Sequence, residues 1–414
     1  MKNKSIEIMS PVGSFDSLQA AIQGGADAVY FGVGNLNMRS RSSANFSLED
    51  LSEIVGICKK NNIRSYLTLN TIVFDSELEE VYKVADAAKK AGISAVIASD
   101  LAVLEYLKEI QLEIHISTQC NITNIQSVKF FSRYADVMVT ARELSLEQVK
   151  SITRQIEENQ IKGPSGELVQ IEVFAHGALC MAVSGKCYIS LDNFGYSANR
   201  GACLQPCRRS YDVKDTEHEL ELKVDNKYIM SPKDLCTMPF IDKIIDAGVR
   251  VLKIEGRGRS ADYVKTVTQC YREAANAVLE NNFTTEKAEE WMNRLSKVYN
   301  RGFWDGYYLG RKTGEWTEGY GSSATHKKVY IGKVTNFFTR VGAAEIKIET
   351  GDLTVGDEYV IMGPTTGVCE GIATEIRLNL IPAPVAQKGS VCSMIVPIPV
   401  RRNDKLYKVV PVND

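Results

Sequence analysis

Five cysteines fall in one stretch, Cys180, Cys187, Cys203, Cys207 and Cys236, spaced C-x6-C-x15-C-x3-C-x28-C, and they are half of the ten in the chain. Thiolates are soft metal ligands, and glycine lets backbone pass close to a bulky group. Gly177, Gly185, Gly195 and Gly201 lie among these cysteines. The stretch is therefore read as a metal-cluster loop set beside an active site. On spacing alone three readings of the thiols stay open. Structural zinc wants paired C-x2–4-C knuckles, and only Cys203-Leu204-Gln205-Pro206-Cys207 approaches one. An iron–sulfur cluster needs four thiolates and tolerates irregular spacing. The third reading is buried free thiols. Cys58 and Cys270, on the apolar faces of expected helices, are read as plain core residues.

Polar residues follow nearly every strand-like run: Ser10, Arg39 and Arg41, Asn70, Asp100, Gln119 and Asn121, Arg142 and Glu143, His176, and Glu255 with Arg257 and Arg259. Loops are polar in any case, so each alone says little. As a set, several interrupt apolar runs directly. Arg39, Arg142 and Arg257 on one surface would suit a carboxylate or phosphate, because a guanidinium meets two oxygens at once.

The elements that must position these residues repeat. Ile6–Met9, Ala28–Phe31, Ser65–Leu69, Ala95–Ala98, Glu113–Ser117, Asp136–Val139, Val169–Phe174 and Val251–Ile254 read as buried strands, each followed by a helical pattern. Ser47 is expected to cap the helix whose core face is Leu51, Ile54, Val55 and Cys58. Eight such units predict a (β/α)8 barrel over residues 1–282, with a doubly wound open sheet as the alternative. The cysteine stretch, 177–238, is then an insertion after strand seven, on the face where such barrels carry their active sites. Residues 283–326 form a helical and aromatic connector, and 327–414 read as a small all-β domain, expected to be a barrel.

The 414 residues carry 49 Lys plus Arg against 51 Asp plus Glu, a net charge of −2. Bulk charge makes no case for nucleic acid, so any such site must be a local patch. No signal-peptide pattern and no apolar run of membrane-spanning length is present, and a cytoplasmic protein with no membrane partner is expected. In that reducing compartment ten cysteines argue for metal binding or catalysis over disulfides.

The run Glu172-Val-Phe-Ala-His176-Gly-Ala-Leu-Cys180-Met-Ala-Val-Ser-Gly185-Lys-Cys187-Tyr-Ile-Ser190 resembles the signature of peptidase family U32, E-x-F-x2-G-small-aliphatic-C-x4-G-x-C-x-aliphatic-S, at every specified position. Asn199–Arg208, Ser231–Cys236, Leu252–Arg257 and the opening Ser10–Ser14 resemble the family too. The family name implies proteolysis. Better-understood branches are oxygen-independent hydroxylases bearing a [4Fe–4S] cluster, and the resemblance is nearest the branch that hydroxylates the wobble uridine of tRNA at carbon 5 with prephenate as hydroxyl donor. Carried over position by position, the resemblance implies Cys180, Cys187, Cys203 and Cys236 as cluster ligands, with Cys207 as an alternative to Cys203. If prephenate, a small dicarboxylate, is the donor, the barrel mouth should hold its carboxylates on Arg142 and Arg257, with Arg39 beside them, Asn70, Gln119 and His176 in catalytic or supporting roles, and Glu255 orienting an arginine or acting as a base; a structural Glu255–Arg257 ion pair at the rim is the alternative.

Three functions follow. The first is the RNA-modifying enzyme, with tRNA as partner. Arg200, Arg208 and Arg209 with Tyr188, Phe194 and Tyr196 offer phosphate contacts and base stacking in one loop, and Lys327, Lys328, Arg340, Arg401 and Arg402 could hold the RNA body. The second is a peptidase with a Cys180–His176 dyad, although H-E-x-x-H and G-x-S-x-G are both missing. The third is a non-catalytic, cluster-bearing scaffold pairing with a related chain.

Overall fold

In a computed structural model of the chain, residues 5–40, 45–212 and 228–412 are described. Arg41 lies outside them. The strands, in chain order, are β1 Glu7–Pro11, β2 Ala28–Gly32, β3 Arg64–Leu69, β4 Ala95–Ala98, β5 Ile114–Ile116, β6 Val137–Val139, β7 Gln170–Ala178, β8 Asp234–Cys236, β9 Val251–Ile254 and β10 Phe303–Trp304. β1 to β7 pair in sequence, all parallel. β9 then pairs with both β7 and β1, setting Glu7 opposite Val251 and Met9 opposite Lys253. The sheet therefore closes into the eight-stranded barrel, and the open doubly wound sheet is excluded.

Period-two alternation explains why each strand reads as apolar throughout. Ile8, Val29, Leu67, Val96, Ile114, Met138, Val173 and Leu252 point outward into the core beneath the helices. Met9, Ala28, Tyr30, Tyr66, Ala95, Ile97, Val137 and Val251 line the barrel itself. The helices match one face to that outer core. The helix Leu146–Glu158 buries Leu146, Val149, Ile152 and Ile156, and its capping box at Ser145 satisfies backbone donors that the first turn leaves open. Each such aliphatic side chain contributes roughly 1.5–3 kcal/mol by leaving water. Cys58 and Cys270 are buried in this core. Asp50, not Ser47, holds the N-cap position of the helix Leu51–Lys60, and its side chain makes no capping bond to the helix. Ser47 sits three residues earlier, its N–H and hydroxyl both donating to the Asp50 carboxylate at 2.8 and 3.0 Å.

β7 runs past the expected Phe174 to Ala178. The extension pairs antiparallel with β8, His176 opposite Cys236 and Ala178 opposite Asp234, and β8 pairs in turn with β10. His176 and Cys236 thus belong to an ordered side sheet and not to mouth loops.

The C-terminal region is an eight-stranded antiparallel sheet, from His326–Phe338 to Lys405–Pro411, with a two-stranded ribbon of Asp352–Thr354 and Val385–Gln387. It encloses its own core of Ile331, Val334, Ile346, Ile361 and Leu406. Its hydrogen-bonded order has two edges, Gly367–Ile372 and Ile381–Ala383, so among the described residues the ladder does not close into the expected barrel. Pro382 sits in the latter edge strand, where its missing N–H costs least. The sheet docks on the barrel through Gln23, which donates to the Thr366 carbonyl and accepts from the Val368 N–H, both at 2.9 Å.

Candidate active site

The loops after the strands enclose two joined cavities of about 160 and 130 Å³ at the C-terminal mouth. Both are lined by Arg39, Arg142, Cys180, Cys203, Cys207 and Glu255. The deeper one adds Cys187, Asn70, Gln119, Lys253 and Arg257. A larger cleft of about 570 Å³ lies between the helices Ala261–Leu279 and Thr285–Lys297 and the C-terminal sheet, but none of its lining residues is a cysteine.

Many of the sequence-predicted residues meet here, while Asn121 and Glu143 line neither cavity. Glu255, just past β9, receives Arg39 Nη2 at 3.0 Å. Burial pushes the Glu255 carboxyl up, and the charges of Arg39, Arg142, Arg257 and Lys253 more than reverse this, leaving it below the usual carboxylate range. Arg257 is buried and donates to Thr68 Oγ1 at 3.0 Å. Burial pushes its pKa down to about 10. Gly32 makes its room, since a Cβ there would lie 2.5 Å from the guanidinium. Arg142 lies over the Phe174 ring at 3.9 Å and donates to the Ala178 carbonyl at 3.4 Å, while its buried Nε has no partner. Asn70 donates to Ser117 Oγ at 3.1 Å and to Gln119 Oε1 at 3.4 Å, which fixes both amides on the cavity wall.

Of the five cysteines, four line this cavity: Cys180, Cys187, Cys203 and Cys207. Burial raises the Cys203 thiol, against the Gln205 N–H at 3.4 Å and the Arg39 charge, and raises that of Cys207 to about 11, against Arg208. The two thiols also feel each other and those of Cys180 and Cys187. Among the described residues no three His, Cys, Asp or Glu side chains form a site for a single metal ion. A cubane cluster is wider than one ion, and four thiols converging on one cavity with cationic neighbours are a donor set that suits it. Cys236 lines neither cavity. It is buried in β8 with Sγ 3.8 Å from Tyr271 Oη and 3.4 Å from Met292 Sδ. The cavity therefore gathers Cys180, Cys187, Cys203 and Cys207, while Cys236 stands outside it.

His176 is likewise placed elsewhere. Its ring packs among Tyr263, Tyr271 and Phe303, 1% exposed, with Nδ1 3.4 Å from Tyr271 Oη. Burial there lowers its pKa to about 3, so it is a neutral, enclosed imidazole. Ser10 bonds Thr268 in the core, and Asp100 caps a helix by accepting the Ala102 N–H. Neither is a site residue.

The insertion is fastened down by residues whose role the sequence did not reveal. Arg200 pairs with Glu77 and donates to the Ile72 carbonyl at 2.6 Å. Arg208 donates to the carbonyls of Leu179 and Pro232 at 2.7 and 2.6 Å and to Ser231 Oγ at 3.0 Å. Both are latches and not free phosphate contacts. Gly201, with φ +74°, lies so close to the β2 loop that a Cβ would come 2.1 Å from the Asn37 carbonyl oxygen. Sequence reasoning also passed over Lys253, whose signal was a charge inside the apolar run Val251–Ile254.

The family model for peptidase family U32 matches residues 13–318, barrel and insertion together. The chain belongs to peptidase family U32. Its similarity to other U32 proteins runs both ways in name. It is 54% identical, over 99% of both chains, to a Porphyromonas gingivalis protein named collagenase. It is 30% identical, over 87% of this chain and 84% of the other, to a Bacillus subtilis tRNA hydroxylation protein. It is 35% identical, over 75% of this chain and 46% of the other, to an Escherichia coli 23S rRNA 5-hydroxycytidine synthase. No helix among the described residues is long and apolar enough to cross a membrane.

Proposed function

We propose that this U32 protein is an iron–sulfur-dependent, oxygen-independent RNA-modifying enzyme that hydroxylates a tRNA wobble uridine at carbon 5, with prephenate, a small dicarboxylate, as hydroxyl donor. The observation that carries this reading is the single cavity in which Cys180, Cys187, Cys203 and Cys207 stand beside Arg39, Arg142 and Arg257. Such a cavity would join a redox centre to an anion site, which hydroxyl transfer needs and peptide hydrolysis does not. A [4Fe–4S] cluster held by those four cysteines would supply one-electron chemistry at the cavity wall.

The chain's own residues would do the rest. Arg142 and Arg257 bind the two carboxylates, Arg257 already aimed by Thr68 and Arg142 bringing an unpartnered Nε. Among the described residues lining the deeper cavity, Glu255 is the one carboxylate against Arg39, Arg142, Lys253 and Arg257, an excess that suits a dianion. Ionised by those neighbours, Glu255 orients Arg39 and is the base at hand. Asn70 and Gln119 offer amides to a uracil edge. Outside the cavity Tyr188 is 73% exposed, and Arg209 lies 4.8 Å over the Phe194 ring, a surface suited to stacked bases and phosphates.

Nucleoside mass spectrometry of tRNA, from cells with and without the chain, tests the reading through 5-hydroxyuridine. Its appearance only with the intact chain supports it. A loaded protein with no RNA product would turn the reading to the scaffold. Proteolysis is favoured by the collagenase-named relative. Against it, His176 is enclosed, and among the described residues no histidine lines the cavity to activate Cys180.

A further inference from the structure

The interior of a parallel barrel is ordinarily filled by branched apolar side chains. Here it holds a line of ionisable ones. At the mouth, Lys253 lines the floor of the cysteine cavity, its Nζ 4.7 Å above the Tyr30 ring. It donates to Glu172 Oε1 at 2.8 Å, with side-chain exposures of 6% and 0%. The other oxygen, Glu172 Oε2, faces His115 Nδ1 at 4.0 Å, and neither atom has a hydrogen-bond partner. His115, fully buried, sets its second nitrogen 3.3 Å from Glu113 Oε1. Glu113 is 36% exposed at the opposite end of the barrel, where Arg64 meets it at 2.6 Å. The remaining ionisable neighbours are Tyr66, its ring 4.5 Å from that of His115, and Glu7, which accepts the Tyr66 hydroxyl at 3.0 Å.

The gap between Glu172 and His115 is chemically unbalanced. When Nε2–H of His115 points to Glu113, Nδ1 is a lone pair, and it faces a carboxylate oxygen that also only accepts. Two buried acceptors aimed at each other are costly. A proton on either one removes the conflict, and a small rotation brings 4.0 Å into hydrogen-bond range. The site is built to take up a proton and to pass it either way.

We propose that Glu113, His115, Glu172 and Lys253 form a proton relay through the barrel, joining solvent at its N-terminal end to the cysteine cavity at its mouth. Lys253 gives a proton to an anion in the cavity and recovers one from the Glu172 carboxyl. Glu172 is refilled from His115 Nδ1–H, and His115 takes a proton on Nε2 from the Glu113 carboxyl, which solvent restores. Only protons move; one pass shifts the His115 ring proton from Nδ1 to Nε2, and a turn of the ring resets it for the next. Run backwards, the same steps remove a proton. A substrate that plugs the mouth shuts out water on that side, and the relay stays open on the other. The relay does not depend on which reaction the cavity performs.

The test needs no substrate. The chain has four histidines, and ring-15N spectra of histidine-labelled protein, assigned with His115→Gln, report the His115 protonation state. In the intact chain the His115 ring N–H should exchange with solvent despite full burial. Lys253→Met removes a cation from beyond Glu172 and should raise the His115 proton affinity roughly tenfold. Glu172→Gln removes an anion and should lower it by a similar factor. The near-isosteric Gln variant carries the test alone if Lys253→Met does not fold. Glu113→Gln closes the outer end and should slow solvent exchange of the His115 ring N–H at least roughly tenfold, which a merely structural contact would not. A His115 ring proton that does not exchange with solvent, a His115 spectrum indifferent to Glu172→Gln, or unchanged exchange in Glu113→Gln would overturn the relay.

Discussion

Cys207 and Cys236 come from one stretch of sequence and end in opposite surroundings. Cys207 sits on a short turn of the insertion, facing a cavity with three other thiols and a group of arginines. Cys236 is pinned by strand pairing opposite His176 and packs on Met292 and Tyr271. The difference lies in the backbone. A turn that only latches such as Arg208 hold in place leaves its side chains free to converge. A strand three residues long, paired on both sides, has its side chains assigned by register. The open cavity is where chemistry can happen, and the closed layer behind it is where the mouth gets its rigidity.

The largest effect should come from the open side. Arg142→Ala or Arg257→Ala should cut RNA hydroxylation about 10³-fold while the fold and the cluster spectrum stay intact, since a preorganised charge aimed at the substrate is lost. Full activity in both variants would remove these residues from the cavity's function. On the closed side, His176 should make stability depend on pH. Its pKa is depressed to about 3 in the folded chain, so the unfolded chain binds the proton first. Stability is full above the unfolded value near 6.5 and falls as pH drops toward 3, by about 2 kcal/mol at pH 5. Denaturant melts at both pH values should show this loss, and His176→Phe should flatten it.

Smaller effects sharpen the contrast. Cys236→Ala should cost about 1 kcal/mol of stability from lost packing and leave the iron content alone. Arg200→Gln should cost only about 0.5 kcal/mol globally, because its pair with Glu77 is partly exposed. It should nonetheless speed limited proteolysis of the insertion, since the latch over Ile72 is gone. An insertion no more sensitive than before would mean that Arg208 and the Gly201 contact hold it unaided.

The barrel was legible because burial on both faces leaves its mark on every strand, and Val251–Ile254 and Ala95–Ala98 appear at the positions read from sequence. The mouth was legible because strand order puts Arg39, Asn70, Gln119, Arg142, Glu255 and Arg257 on one face. What the pattern does not carry is strand length past the apolar run. Two polar-looking residues, His176 and Gly177, hid the extension of β7, and with it the fates of His176 and Cys236. The latches were hidden for a similar reason. Arginines in a glycine-rich loop look alike whether they meet phosphate or a carbonyl 128 residues away, as Arg200 meets Ile72. In the C-terminal sheet, strands of three residues such as Ile376–Leu378 are too short to show alternation.

The central claim is that Cys180, Cys187, Cys203 and Cys207 together hold the cluster, and iron and acid-labile sulfide analysis of anaerobically purified protein tests it most directly. The unaltered chain and Cys236→Ser should each carry about four iron and four sulfide per chain, and Cys207→Ser should lose most of both. Cluster retained in Cys207→Ser and lost in Cys236→Ser would contradict the account.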